Sequence, residues 1–498
     1  MPATEEQLAI CESQAHILKI KAGAGTGKTT TLRGLAQRNP HSRILYVAFN
    51  RAIKEEAQGK FASNVRAMTA HGMAFASIGK IYANIPDKLA KSDLKPFHVN
   101  NVLQKSLSKI PEPLHNLYGG RIIETIKAFL ISADPMIEGI HVVRGTISPA
   151  EKKHFTPKKM LADAQLVWES MQDTNSPVPM VHDGYLKMFQ LQQPSLGYDM
   201  ILFDEFQDTN AITQSIIESQ EGRKVYVGDQ HQAIYGFRGA RNAMDLVDAD
   251  ETHFLTGSFR FGPHIADLAN LLLDAKGETE LRLRGLGAPS VVGKLPPLQP
   301  HAYIARGNSS LFARAALALE KNERFAFVGA LYNYRFDLIE QFYQLSIGNK
   351  VRDPFLASFT NYEQLEKYGE EMEDVEIMGR CRLVAKYGKR IPMLVNQIQK
   401  RAQIYDPKVR SDVILTSAHR SKGLEFDDVI LADDFMDFFD DESGHWKDLS
   451  GADIFTQEEV NLQYVAATRA KKRLEIGEKL QKFVDYQTSH TSPANPKI

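Results

Sequence analysis

Cysteine is nearly missing: Cys11 and Cys381 are the whole supply in 498 residues. Two such residues cannot build the disulfide framework of a secreted domain, nor a zinc site by themselves. Long apolar runs are absent as well, since none approaches the roughly 18 residues of a membrane span. The opening MPATEEQLAI lacks the basic and apolar regions of a signal peptide, so the expected setting is intracellular and cytoplasmic, with no membrane partner. Nor is there an excess of one charge. Sixty Lys and Arg against 61 Asp and Glu leave a net charge of -1, so bulk electrostatics does not advertise a nucleic acid. Any such partner must be held locally. The run EKKHFTPKK at 151–159 gathers four lysines, but a charge run of this kind reads first as a solvated face. No internal repeat or low-complexity block is found.

What is present is the composition of a globular protein, 43% hydrophobic and 24% charged. At about 150 residues per domain the length suggests around three units. Short apolar runs recur at 43–49 (RILYVAF), 198–205 (YDMILFDE), 224–229 (KVYVGD), 301–306 (HAYIAR), 412–418 (DVILTSA) and 428–434 (DVILADD). Several are followed by helical periodicity, which predicts α/β layers with buried parallel strands. Residues 77–165 and 320–404 have a different, helical texture and read as insertions in this framework. The framework itself is expected at 1–76 with 166–262, and at 263–319 with 405–485. The polar tail 486–498 is expected to be disordered.

The stretch LKIKAGAGTGKTTTLRGLA at 18–36 reads as a strand, a glycine-rich turn and a helix opening at Lys28. Glycines let backbone N–H groups close around phosphate oxygens, and the helix N-terminus adds partial positive charge. Ala22, Gly23, Ala24, Gly25, Thr26 and Gly27 form the expected cradle, followed by Lys28, Thr29 and Thr30. Lys28 would reach the outer phosphates and the Thr29 hydroxyl would face Mg²⁺. The general pattern G-x-x-x-x-G-K-[ST] is missed at its first position, Ala22.

In ILFDEFQD an apolar strand would deliver Asp204 and Glu205 at its C-terminal end, where open α/β sheets bind ligands. Asp204 suits Mg²⁺ through water, and Glu205 can polarise an attacking water. Adjacent acids alone are often only a solvated pair. With the phosphate loop upstream, ATP hydrolysis is the favoured reading.

The segment VGDQHQAIYGFRGA at 227–240 sets a carboxamide close to two rings. Gln232 and Phe237 are at most roughly 17 Å apart along the chain, so the two ends can hardly act independently. Taken in isolation, Tyr235 and Phe237 would be read as core residues.

Together AGAGTGKT, AFNRAIK, TAHGMA, DEFQD, VGDQHQAIYGFRGA, SFRF, TSAHRSKGLEF and YVAATRAKKRL resemble, in order, the motifs of UvrD/Rep-type superfamily 1 DNA helicases. The resemblance runs from about residue 7 to 476, and Ala22 is usual in that family. Within it, IARGNSSLF, KYGKRIPMLVNQIQKR and the compact 320–404 region are most similar to the helicase part of the F-box DNA helicases. No F-box precedes Gln7, so the expectation is a motor without a ubiquitin-ligase role. A fused nuclease is not expected after the last motif.

The resemblance implies an α/β fold of two RecA-like P-loop lobes with ATP between them, each carrying a helical insertion. It implies that Gln7 reads adenine, Gln232 senses the γ-phosphate, and Arg260 and Arg469 reach that phosphate. A planar guanidinium suits phosphate and stabilises transition-state charge. Glu425 would contact ribose, and Phe259 would stack beside the base where the family often has tyrosine. Tyr235, Phe237 and Arg238 fall in the single-strand motif, with base stacking worth roughly 1 to 3 kcal/mol per base and tolerant of sequence. Phe49, Asn50, Arg51, Thr69, His71 and His419 match further DNA contacts, although lone histidines are more often structural.

The expected activity is therefore an ATP-dependent single-stranded DNA translocase and 3'-5' helicase in repair or recombination. It would use ATP and Mg²⁺, act on single strands and tailed duplexes, and meet recombination or repair proteins. A motor that strips proteins from DNA and a nucleotide-gated DNA-binding switch are the competing readings, the second having no need of Glu205 with two arginines. The acid-rich run at 433–442 reads as a solvated loop rather than a metal site.

Overall fold

The computed structural model describes residues 2–90, 94–142, 153–236, 243–353, 355–371, 374–440, 444–447 and 449–490. The chain divides into two compact units, Met1–Ala22 with Lys28–Leu255, and Gly23–Gly27 with Thr256–Ile498. Length alone suggested around three. The division falls at Leu255, ahead of the expected boundary at 262, because Gly257–Ser258 pairs with Arg284–Gly285 inside the second unit.

In the first unit, β1 (Ile17–Ala22), β2 (Ile44–Val47), β3 (Val65–Met68), β4 (Met200–Phe203), β5 (Arg223–Gly228) and β6 (Glu251–Leu255) form one sheet in the order β3-β2-β4-β5-β1-β6. Every pairing is parallel. Both faces are covered, which is why the strands read as continuous apolar runs. The pleat sends Leu45, Val47, Ile201 and Phe203 into one core and Ile44, Tyr46, Met200 and Leu202 into the other.

Between β3 and β4 the described residues are mainly helical, and the first of these cores continues through Tyr118, Ile122 and Trp168. The helix Pro157–Gln172 runs through the expected boundary at 165, and another, His182–Leu191, follows it. Two buried lysines fasten this region. Lys88 donates to the carbonyls of Val178 (2.6 Å), Ser176 (3.1 Å) and Ser170 (3.3 Å). Lys187 donates to those of Ser132 and Asp134, its ammonium 4.4 Å from the Phe129 ring centroid.

The second unit has the short pair β7 (Gly257–Ser258) and β8 (Arg284–Gly285), then β9 (Val291–Val292), β10 (His301–Ala305), β11 (Phe325–Phe327), β12 (Gln403–Ile404), β13 (Val413–Ser417) and β14 (Phe426–Leu431). A hairpin of β15 (Phe439–Asp440) and β16 (His445–Trp446) and a last strand β17 (Ala470–Glu475) complete it. Seven of these make a parallel sheet, ordered β12-β11-β13-β10-β14-β17-β9. The expected insertion at 320–404 is thus trimmed at both ends. Phe325–Phe327 pairs with β13 and Gln403–Ile404 with β11, and three apolar residues were too short a run to read as a strand.

The expected disordered tail also starts too early, since the helix Glu478–His490 covers 486–490, while 491–498 lie outside the described residues. Of the acid-rich run at 433–442, residues 441 and 442 lie outside the described residues, and at its start the reading as a plain solvated loop does not hold. Asp434 accepts the N–H groups of Arg306 and Gly307, both at 2.9 Å, and Asp433 accepts that of Lys479 at 3.0 Å. Among the described residues no group of three or more His, Cys, Asp or Glu side chains is placed to hold a metal ion, and no helix is long and apolar enough to cross a membrane.

Candidate nucleotide and nucleic-acid site

Parallel strands carry their ligand-facing loops at their C-terminal ends. In the first unit β1 leads to the helix Lys28–Arg38, β4 to Asp204 and Glu205, and β5 to the turn Gln230–Gln232. Because β4 lies beside β5 and β5 beside β1, the expected phosphate and hydrolysis residues of this unit gather at one edge. Lys28 Nζ stands 3.5 Å from Glu205 Oε1, and the Thr29 hydroxyl donates to Asp204 Oδ2 at 3.2 Å. A hydroxyl beside a carboxylate is a hard oxygen set that fits Mg²⁺ and its retained waters.

Asp204 is buried and takes two more donors, the Tyr46 hydroxyl at 2.6 Å on Oδ2 and the Glu205 N–H at 2.9 Å on Oδ1. Burial, then the Glu205 charge, push its carboxyl above the usual range, while Lys28 and the Tyr46 bond work the other way. Burial first, then Asp204, also raise the Tyr46 phenol well above its ordinary value. Glu205 itself stands in the left-handed region at φ +53°, a conformation unusual for a residue with a side chain.

Gln207 and Asp229 tie β4 to β5. The Gln207 carboxamide donates to Glu205 Oε2 at 2.6 Å, and its oxygen accepts the Asp229 N–H at 3.1 Å. Asp229 in turn accepts from Gln232 Nε2 at 2.6 Å. A chain of short hydrogen bonds therefore runs from the expected hydrolytic carboxylate to the expected phosphate sensor.

The loop Gly23–Gly27 groups with the second unit. Gly25 (φ +72°) and Gly27 (φ +81°) take left-handed conformations that favour glycine. A Cβ on Gly25 would come within 2.7 Å of Ser258 Oγ and 2.6 Å of Arg260 Cβ. The Thr26 hydroxyl donates to Gly23 O at 2.9 Å, the Phe259 N–H to Gly25 O at 2.9 Å, and the Ala24 N–H to the Tyr464 hydroxyl oxygen at 3.1 Å.

Arg260 meets Glu425 at 2.8 Å and the Thr468 carbonyl at 2.9 Å. Burial raises the Glu425 pKa, but the charge and hydrogen bond of Arg260 outweigh it and hold the carboxyl below its ordinary value. Arg469 is almost wholly buried and donates to the carbonyls of Val465 (2.9 Å) and Leu424 (3.3 Å). Arg260, Glu425 and Arg469 are thus brought together around a helix end, with carbonyls among the acceptors of the two arginines, whereas Phe259 is held through its backbone to Gly25. Gln7 is buried in a capping box, its side-chain oxygen accepting the Thr4 N–H at 3.1 Å, and Thr30 is exposed.

Of the expected DNA contacts, Phe49 and Tyr235 come together as parallel rings, centroids 5.9 Å apart and 13° from coplanar. Phe49 is exposed and Tyr235 half-buried, so neither ring is a core residue. Asn50 and Thr69 cap helices, accepting the N–H groups of Ile53 (2.9 Å) and Gly72 (3.0 Å). Arg51 pairs with Glu55 at 2.6 Å, and His71 bonds Asp183 at 2.9 Å. His419 is half-buried on the short helix Ala418–Ser421. Phe237 and Arg238 lie outside the described residues.

Sequence reasoning gave no role to Tyr46, Gln207, Asp229 or Tyr464. The signal for Tyr46 was a hydroxyl inside the apolar run RILYVAF, and Gln207 and Asp229 stood in motifs whose other members drew the attention.

Comparison with known proteins follows the same lines. Residues 6–238 match the AAA domain family and 337–479 the UvrD-like helicase C-terminal domain family. The first of these, with its phosphate loop, is a nucleotide-binding domain. The chain is 32% identical to F-box DNA helicase protein 1 of Schizosaccharomyces pombe, over 96% of this chain and 58% of that protein. It is also 32% identical to F-box DNA helicase 1 of Gallus gallus, over 96% of this chain and 49% of that protein. ATP-dependent DNA helicase UvrD2 of Mycobacterium tuberculosis is 24% identical over 47% of this chain and 41% of its own length. The chain therefore spans about half the length of its F-box relatives. With two parallel α/β sheets, the phosphate loop, the acid pair and both domain matches in place, the chain belongs to the UvrD-like superfamily 1 helicases.

Proposed function

We propose that the protein is an ATP-dependent motor on single-stranded DNA that unwinds duplexes, moving 3' to 5' and acting in DNA repair or recombination. The observation that carries this reading is one sheet edge holding two sets of groups. Lys28, Thr29, Asp204, Glu205 and Gln232 follow β1, β4 and β5, and the stacked Phe49 and Tyr235 follow β2 and β5. Gln232 and Tyr235 are three residues apart, so a phosphate-dependent movement of the first reaches the second over at most about 11 Å of chain.

Thr29 and Asp204 would hold Mg²⁺, whose bound form neutralises phosphate charge. Glu205, held by Gln207, would orient and polarise the attacking water. Arg260 and Arg469 would stabilise charge building on the transferring phosphate. Glu425, Phe259 and Gln7 are proposed to contact the nucleoside. Asn50, Arg51, Thr69, His71, Phe237, Arg238 and His419 are proposed DNA contacts. The printed names of the relatives, DNA helicases, support DNA as the polymer. A binding switch has no need of so complete a hydrolytic chain from Glu205 to Gln232.

The test is ATP turnover with and without a single strand, together with release of a labelled strand from 3'-tailed and 5'-tailed duplexes. DNA-stimulated turnover with release from the 3'-tailed substrate is expected. Stimulation without release would leave a motor that strips proteins, and turnover indifferent to DNA would end the reading.

A further inference from the structure

The first unit keeps a cavity that neither the nucleotide site nor the proposed strand contacts use. It lies between the helix His115–Leu130 and the start of the helix His182–Leu191, with a volume of about 130 Å³, and Leu94 adds a third wall. Ile123, Ile126, Lys127 and Leu130 come from one face of the first helix, at the three- and four-residue spacing that aligns side chains. Val181, His182 and Asp183 come from the entry to the second. Protein interiors pack as densely as organic crystals, so voids larger than a water molecule are few. Apolar cavities of about 150 Å³ take up a benzene-sized molecule.

The lining is divided by polarity. Leu94, Ile123, Ile126 and Leu130 are buried and Val181 is half-buried, so five aliphatic side chains form the interior. Lys127 and His182 are exposed and Asp183 is half-buried, which puts the polar groups at the mouth. There the two helices offer opposite charges, an ammonium from one and a carboxylate from the other. Asp183 Oδ1 is engaged by His71 at 2.9 Å, and His182 Nδ1 meets the Tyr185 hydroxyl at 3.0 Å. Asp183 Oδ2 and His182 Nε2 have no hydrogen-bond partner among the described residues. An apolar interior with a few polar groups that set orientation is the common plan of a small-molecule site.

We propose that this cavity binds a free apolar α-amino acid of leucine size. The branched side chain enters the aliphatic interior, the α-carboxylate meets Lys127, and the α-ammonium donates to Asp183 Oδ2, with His182 Nε2 beside the head group. A purely anionic ligand would face Asp183 and a purely cationic one Lys127, whereas a zwitterion satisfies both. The inference stands apart from the reading of the chain as a DNA motor, because none of the lining residues is asked to touch nucleotide or strand.

The experiment is saturation-transfer NMR on the full chain, with L-leucine as the probe and glycine, isocaproate, isoamylamine and N-acetyl-leucinamide as comparisons. L-leucine is expected to give a saturable signal, and glycine to bind at least about tenfold more weakly, because it leaves the aliphatic interior unused. Isocaproate lacks the ammonium and isoamylamine the carboxylate, so each should bind roughly 3- to 10-fold more weakly than leucine. Asp183→Asn should remove the preference for leucine over isocaproate, and Lys127→Gln the preference over isoamylamine, each leaving the other preference in place. Val181→Phe should abolish binding by filling the cavity, with thermal melting to show that the variant is folded; if it is not, the two charge variants at the mouth carry the test. No saturable leucine signal would overturn the site, as would unchanged preferences in both charge variants. Equal binding of leucine and N-acetyl-leucinamide, which carries neither charge, would overturn the amino-acid assignment and leave an anchor pocket for a side chain of a partner protein.

Discussion

Gly228→Ala would disturb the proposed hydrolytic machinery without changing any polar group. Gly228 ends β5, and a Cβ built on it lies 2.5 Å from Gln207 Oε1, 3.1 Å from Met244 Sδ and 3.2 Å from Gln207 N. Met244 can shift, but the carboxamide oxygen must leave its place. Two bonds go with it, the 3.1 Å bond from the Asp229 N–H and, as the carboxamide turns, the 2.6 Å bond to Glu205. Asp229 is fully buried, so its N–H is left without an acceptor. Overpacking and an unsatisfied buried donor each cost about 1 to 3 kcal/mol. Taking one such cost at about 2 to 4 °C per kcal/mol for a unit of this size, the Tm should fall by roughly 2 to 12 °C. ATP turnover should fall by about tenfold or more as Glu205 loses its orientation, because general-base assistance is worth about 10² to 10⁴ when wholly lost. The assays are calorimetric melting and steady-state ATP turnover, run on Gly228→Ala, Gln207→Ala and the double variant. With the carboxamide already gone, the added methyl should cost little further turnover, so the two losses should not add. Additive losses would refute the mechanism, since the methyl would then act by another route.

Three further outcomes follow from the geometry. Arg469→Ala should lower both Tm and ATP turnover, because the side chain is buried and holds the carbonyls of Val465 and Leu424; unchanged melting would remove its structural share. Tyr235→Ala breaks the parallel stack with Phe49 and should weaken single-strand binding roughly 5- to 150-fold with little change in salt slope, as read by anisotropy. Equal affinity would return that ring to a packing role. Lys187 has its pKa lowered from 10.5 to about 8, burial being the main cause. Between those values the unfolded chain binds more protons than the folded one, so this group makes stability rise with pH across the window. The difference in Tm between the unmutated chain and Lys187→Met should therefore grow from pH 8 to pH 10; a flat difference would show that Lys187 does not titrate there.

Local chemistry was legible without coordinates. Apolar runs such as MILF and KVYVG specify strands buried on both faces, because only there does burial reward every position. The glycines before Lys28 and the acid pair after a strand carry the proposed roles through residue type and spacing, and both could be named without any fold. Helical texture within 77–165 and 320–404 was readable as well, but where its elements begin and end was not. Phe325–Phe327 is a strand because β13 lies beside it, and the helix Pro157–Gln172 runs past residue 165 because its buried face, with Met160, Val167 and Trp168, keeps finding partners. Partnership at the site was decided at the same level. Tyr46 meets Asp204 across 158 positions, and Gln207 meets Asp229 because β4 and β5 are neighbours in the sheet. Arg469 became a buried residue with three side-chain nitrogens in hydrogen bonds. Periodicity records whether a residue is buried, since that depends on its own strand or helix. Which residue it is buried against depends on strand order and register, and these are set by packing energies summed over the whole unit.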